Sequence, residues 1–170
     1  MRILFIGDIV ARVGRETVAA LLPLVVKEHN IDLVIANGEN ATHGKGLTKK
    51  HYHELLASGI EVITLGNHYD DKEEIRRYID ETENLVRPIN IKENYPGRGS
   101  LVVTKNGIKV RITNVLLQSF MKEEVLSPYG SIALLLGEVE PSIHIIDLHG
   151  EATAEKLALA YAFDGKASAF

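Results

Sequence analysis

Four short, largely apolar runs each lead into a polar or glycine-rich cluster, and this repetition constrains the fold more than any other feature. Ile3 to Ile6 runs into Gly7-Asp8, and Ile31 to Ala36 into Asn37-Gly38-Glu39-Asn40. Ile60 to Leu65 runs into Gly66-Asn67-His68, and Ile143 to Leu148 into His149. Short apolar runs of this kind read as strands, and the first reads as a strand buried on both faces. Helical patterns fill the intervals. Val18, Leu21, Leu22, Val25 and Val26 recur at spacings of three and four in a helix expected from about Arg15 to Asn30. Pro23 lies inside it and predicts a kink or a late start, because proline removes a backbone donor. Thr48 is placed to cap the next helix and Gly59 to stop it. Asp70, Asp71, Glu73 and Glu74 are expected to open a third helix, where negative charge favours the positive end of the dipole.

The later half changes character. Leu101 to Lys105 and Ile108 to Ile112 flank Asn106-Gly107, the pattern of a hairpin closed by a type I′ turn. Gly130 to Glu138 and Thr153 to Phe163 read as helices. With no repeats, low-complexity tracts or linkers, residues 1–170 are read as a single domain. The fold class expected is α/β: a mixed sheet, parallel at its start, with flanking helices. Parallel strands joined by helices put their carboxyl ends on one edge, where open α/β sheets bind ligands.

Composition narrows the function. The 170 residues are 45% hydrophobic and 25% charged, an ordinary globular balance for one domain with a real core. A net charge of −4 argues against a sequence-blind grip on duplex nucleic acid. There is no cysteine, which excludes disulfides and thiolate metal sites and fits a reducing cytoplasm. The apolar run after Met1 is too short for a signal peptide or a membrane span, so a cytoplasmic protein with no membrane partner is expected.

Asp8, Glu39, Asn67, His68 and His149 all fall at or just past the carboxyl end of an expected strand. Two carboxylates, an amide oxygen and imidazole suit divalent metals of the Mn, Fe, Zn or Co type. A carboxylate such as Glu39 can bridge two ions, and two ions can activate water and stabilise both ends of an in-line phosphoryl displacement. Taken singly, Asp8 and Glu39 read as turn residues or caps and His149 as a satisfied strand-end histidine. Their joint placement favours the metal site. His43 and Lys45 lie in the glycine-rich loop, where each is either a phosphate contact or a solvated side chain. His51 and His53 fall within a helical pattern and read as structural or exposed; for His29, near a helix end, a favourable dipole interaction suffices, and His144, inside an apolar strand, packs or pairs rather than binds metal. A glycine-loop cofactor domain is disfavoured, because no G-x-G-x-x-G follows the first strand.

Gly-Asp at 7–8, Asn-Gly-Glu-Asn at 37–40, Gly-Asn-His at 66–68 and Asp-Leu-His-Gly-Glu-Ala-Thr at 147–153 together resemble the YmdB-like family of calcineurin-like metallophosphoesterases. His-Gly-Lys-Gly-Leu-Thr at 43–48, Asn-Leu-Val-Arg-Pro at 84–88 and Glu-Lys-Leu-Ala-Leu-Ala at 155–160 extend the match in order along almost the whole chain. The resemblance implies a layered metallophosphoesterase-like fold and two divalent metal ions. It implies Asp8 as a ligand of one, Glu39 as a bridge, Asn67 and His149 as ligands of the second, and His68 as the group that protonates the leaving oxygen or stabilises charge in the transition state. Asn40, His43 and Lys45 are the substrate-side candidates. The implied substrates are small phosphodiesters, foremost 2',3'-cyclic nucleotides.

The family pattern and this chain part company in two places, and residues Asn114 to Ser127 also match it poorly. Tyr69-Asp70-Asp71 stands where the family usually has Thr-Trp-Asp, a change expected to alter loop packing rather than the substrate pocket. In the family, the strand near Ala167-Ser168-Ala169 leads into Gly-Thr-His-Thr-His, whose histidines complete the metal sites; this chain ends at Phe170. A C-terminally shortened fold is therefore expected, with an imidazole missing from each metal and an open sheet edge that favours self-association. A truncated product, a naturally short homologue and a protomer completed by its partner all fit that ending. The alternative function is a metal- or nucleotide-binding regulator that keeps the fold without turnover.

Overall fold

The computed structural model describes residues 1–91, 95–136 and 142–170. The chain forms two compact units, Met1–Leu85 and Val86–Phe170. It carries seven strands and five α-helices among the described residues, which makes it α/β as expected. No helix among them is long and apolar enough to cross a membrane.

The first unit is built on the sheet β1-β2-β3-β4, comprising Ile3–Ile6, Leu33–Asn37, Val62–Thr64 and Leu85–Val86. β1 pairs with β2, and β2 with β3, in parallel. β2 is central and every one of its residues is buried. β1 was expected to be buried on both faces. It is instead an edge strand with no fully buried residue, and Phe5 is 38% exposed. Helix α1 spans Ala11–His29 with Pro23 inside it. It begins four residues before the expected start, because the Ala11 N–H donates to the Asn40 carbonyl at 2.9 Å and supplies one orphan helix donor from the backbone. Its end follows the expected rule, with Asn30 in the left-handed region.

Helix α2, Lys49–Ala57, has the predicted ends. The Thr48 side chain accepts the His51 N–H, and Gly59 lies just beyond the C-cap at φ +103°. The apolar faces of these elements meet around Leu22, Val34, Leu55, Ile63 and Leu65. The third helix is much shorter than expected. α3 is a single turn, Ile75–Tyr78, followed by a 3-10 turn at Ile79–Glu81. Asp70 and Asp71 stand before it and hold Arg76 and His68 rather than opening a helix.

The second unit holds the sheet β5-β6-β7: Ser100–Lys105, Ile108–Leu116 and Ile143–His149. Asn106 and Gly107 both have positive φ, as a type I′ turn demands, and Lys105 pairs with Ile108 across it. β6 continues four residues past its expected end, because residues as far as Leu116 pair with the parallel strand β7. The strands thus fall into two sheets rather than the one mixed sheet read from the sequence. The helix expected to reach Glu138 is α4, Pro128–Leu136; its last two expected residues lie outside the described residues. Helix α5 spans Thr153–Ala162. Leu159, Phe163, Ile132, Val115 and Ile146 form this unit's core.

His144 shows what the apolar strand does to a titratable group. It is 4% exposed, with its Nε2 2.9 Å from the Thr113 hydroxyl. Burial first, and then the Arg111 guanidinium, pull its imidazole down to about 4. An unfolded histidine titrates near 6.5, so between these values the unfolded chain binds more protons. The stability contributed by neutral His144 is complete above the unfolded value and falls as the pH drops towards the folded one. The expected loss is about 2 kcal/mol at pH 5 relative to pH 7.5. Urea midpoints at the two pH values measure it, and His144→Gln should flatten the difference.

Candidate functional site

The carboxyl ends of β1, β2 and β3 meet through backbone bonds that set the site. The Ile9 N–H donates to the Asn37 carbonyl at 3.0 Å, tying the loop after β1 to the end of β2. The Gly38 N–H donates to the Thr64 carbonyl at 2.9 Å, and the Asn37 amide to the Leu65 carbonyl at 2.9 Å, tying β2 to the end of β3. Gly38 is required by space: a Cβ there would come within 2.9 Å of Ile63 Cγ2 and 3.1 Å of Leu55 Cδ1.

These ties bring the side chains together. The Asn40 Nδ2 donates to Asp8 Oδ1 at 2.8 Å and to Glu39 Oε1 at 3.2 Å. The oxygens of the two carboxylates are therefore no further apart than those two bonds laid end to end. Glu39, 1% exposed, also accepts the His68 backbone N–H on Oε2 at 3.0 Å. His68 Nδ1 lies 2.7 Å from Asp71 Oδ2. Asp8 itself is exposed, and Asn67 and His68 are half-buried in the turns that follow β3. In the second unit, His149 is the last residue of β7, paired in register with Leu116, and its carbonyl accepts the Leu117 N–H at 2.8 Å.

Do these residues suit divalent metal? Converging carboxylates repel unless they share a proton or a cation. Beside them, the Asn40 Oδ1 is buried with no hydrogen-bond partner, an oxygen available to a cation. Among the described residues, no group of three or more His, Asp or Glu side chains is set to hold a metal. The donor set in the first unit is two carboxylates with amide oxygen, and that chemistry fits a hard or borderline divalent cation.

The remaining candidates sit further out. His43 and Lys45 are exposed on the loop that follows, His43 at φ +55°. This loop is anchored from beneath by Arg15 and Thr42, which the sequence did not single out, and by His51. Arg15, buried in α1, donates Nε to Glu54 at 2.8 Å and also donates to the Ala41 carbonyl. The Thr42 hydroxyl meets His51 Nδ1 at 2.7 Å. Burial, and then the charge of Arg15, lower the His51 imidazole below its usual range, which keeps it a neutral hydrogen-bonding group. His51 is thus structural, as its place in a helical pattern suggested. Asp71 was also missed as a partner of His68. The spacing of three between them was the available signal, and it was read as part of a helix start.

A family model described as YmdB-like protein matches residues 4–170. The chain is 45% identical over 172 aligned residues to the 2',3'-cyclic-nucleotide 2'-phosphodiesterase of Bacillus subtilis (strain 168), covering 99% of this chain and 64% of that protein. A crystal structure of a hypothetical protein from Thermus thermophilus superposes with a TM-score of 0.92 at 39% identity, over 99% of this chain and 65% of that one. A crystal structure described as a novel phosphatase, from Mycoplasma pneumoniae, superposes with a TM-score of 0.91 at 38% identity, over 97% and 60%. The chain thus spans under two thirds of the length of each of these relatives. With the family matched over nearly all of its residues, and with the motif residues on the strand ends, the chain belongs to the YmdB-like family.

Proposed function

We propose that this chain carries the catalytic residues of a metal-dependent phosphodiesterase acting on small phosphodiesters, foremost 2',3'-cyclic nucleotides. The observation that carries the reading is one amide nitrogen, Asn40 Nδ2, within bonding distance of both the Asp8 and the Glu39 carboxylates. The name of the Bacillus subtilis relative supports the substrate class.

In this reading Asp8, Glu39, Asn67 and His149 would hold two divalent ions, with Glu39 shared between them. Such ions, when bound, supply a nucleophilic hydroxide near neutral pH and offset charge on the phosphoryl oxygens. Asn40 keeps the two carboxylates together. His68 manages the proton. Donation of its Nδ1–H to Asp71 fixes the ring orientation; in the imidazolium form its Nε2–H delivers the proton to the ribose oxygen as the P–O bond to that oxygen breaks, leaving the neutral Nδ1–H ring. His43 and Lys45, both exposed on the glycine-rich loop, meet the substrate phosphate. Residues 1–170 act as one functional domain. The absence of cysteine supports a cytoplasmic setting. Self-association through an open sheet edge is part of the same reading.

A substrate panel tests the assignment. With Mn, Fe, Zn or Co supplied, the chain is expected to hydrolyse 2',3'-cyclic AMP faster than p-nitrophenyl phosphate, a monoester. Faster monoester cleavage would make it a phosphatase. Tight nucleotide binding with no turnover under any of the four metals would favour the regulator.

A further inference from the structure

The loop after β6 presents a side chain that the site described above leaves unused. Phe120 is 87% exposed and has a φ of +64°. It occupies the third position of a turn closed by the Met121 N–H on the Gln118 carbonyl at 3.2 Å. Turns with positive φ at that position favour Gly or Asn, and a bulky side chain there is strained. Neither the backbone nor burial accounts for a phenylalanine at this point.

The loop is firmly held all the same. Glu155 accepts the Gln118 N–H at 3.0 Å and the Ser119 N–H at 2.8 Å. Burial raises the Glu155 carboxyl, but those N–H groups outweigh it and hold the group below its usual range. The Gln118 side chain donates to the Val125 carbonyl at 3.0 Å, and the Leu117 N–H to the His149 carbonyl at 2.8 Å. At Gly150 a Cβ would come within 2.5 Å of Leu117 Cβ, so the base of the loop is pressed against the residue next to His149. An exposed aromatic ring carried on a strained, firmly held backbone three residues beyond the bond to His149 is suited to contact a flat ligand at that edge.

We propose that Phe120 is the stacking platform for the base of a nucleotide bound at the edge that carries His149, an inference that rests on the phosphodiesterase reading. Every base has a face that stacks on an aromatic ring, and removal of such a ring commonly weakens binding about tenfold. The turn and the platform make opposite demands at this position, and this separates them experimentally.

The test is equilibrium binding of adenosine 3'-monophosphate and of inorganic phosphate to the 170-residue chain and its Phe120→Gly and Phe120→Trp variants, with thermal melts. Phe120→Gly is expected to weaken the nucleotide about tenfold, leave phosphate unchanged, and leave the melting temperature equal or higher, since glycine suits the turn. Phe120→Trp should retain nucleotide affinity. Equal nucleotide affinity in Phe120→Gly would overturn the proposal, as would equal weakening of both ligands with a lower melting temperature. Loss of self-association with nucleotide binding intact would make Phe120 an interface residue and likewise overturn it. A wild-type chain that binds the nucleotide no better than phosphate also counts against it. Failure of turnover with the base preference retained would instead sink only the phosphodiesterase reading.

Discussion

Replacing Asp8 by alanine is expected to strip the chain of bound metal and to lower metal-dependent turnover by at least about a thousandfold. Lewis-acid stabilisation and a metal-activated water contribute several kcal/mol, and each ~1.4 kcal/mol is a factor of ten in rate. Asp8 is exposed at the end of β1, so its removal should leave the melting temperature nearly unchanged. Glu39→Ala should lose metal and rate to a similar extent but with a different side effect. Glu39 is buried, and its oxygens accept the His68 N–H and the Asn40 amide; alanine leaves both donors short of a partner, at a cost of roughly 1–3 kcal/mol. Glu39→Gln keeps the shape and removes the charge. Metal content by elemental analysis, turnover of 2',3'-cyclic AMP and thermal melts on the same samples separate these effects. Full metal content in Asp8→Ala would remove Asp8 from the ligand set.

His68→Ala is expected to behave differently, losing ~10²- to 10⁴-fold in kcat while keeping its metal. The side chain is tied to Asp71, whereas the tie to Glu39 runs through the His68 backbone N–H, which alanine preserves. Asp71→Asn should give a smaller loss of rate, because the amide oxygen can still accept from the ring but without the negative charge of the carboxylate. If metal content falls in His68→Ala as far as in Asp8→Ala, His68 is a ligand and its assignment as the proton donor is wrong.

Local chemistry was legible in the sequence wherever one residue decides a conformation. Asn106-Gly107 closes the hairpin because both positions need positive φ, and Thr48 and Gly59 bound α2 through a side-chain acceptor and a left-handed residue. Strand ends were readable because polar clusters break the apolar runs, which is how Asp8, Glu39 and His68 came to be named. Features decided by distant backbone were not readable. The start of α1 depends on the Asn40 carbonyl, 29 residues away, and no cap residue announces it. The acidic run at Asp70 to Glu74 suggested a helix start, but Asp70 and Asp71 are taken by Arg76 and His68, and only one turn of α-helix follows. The division of the strands into two sheets depends on which strands pair, and apolar periodicity is blind to pairing. That the Asn40 amide reaches both carboxylates is visible only once the strand ends are brought together.

The most direct test is a metal titration of the stripped chain, with bound ions and turnover of 2',3'-cyclic AMP measured in the same samples. Two-metal chemistry predicts no turnover at the start and a rise that saturates at two ions per chain. Turnover in the fully stripped chain would contradict it, and so would two bound ions with no turnover for Mn, Fe, Zn and Co alike.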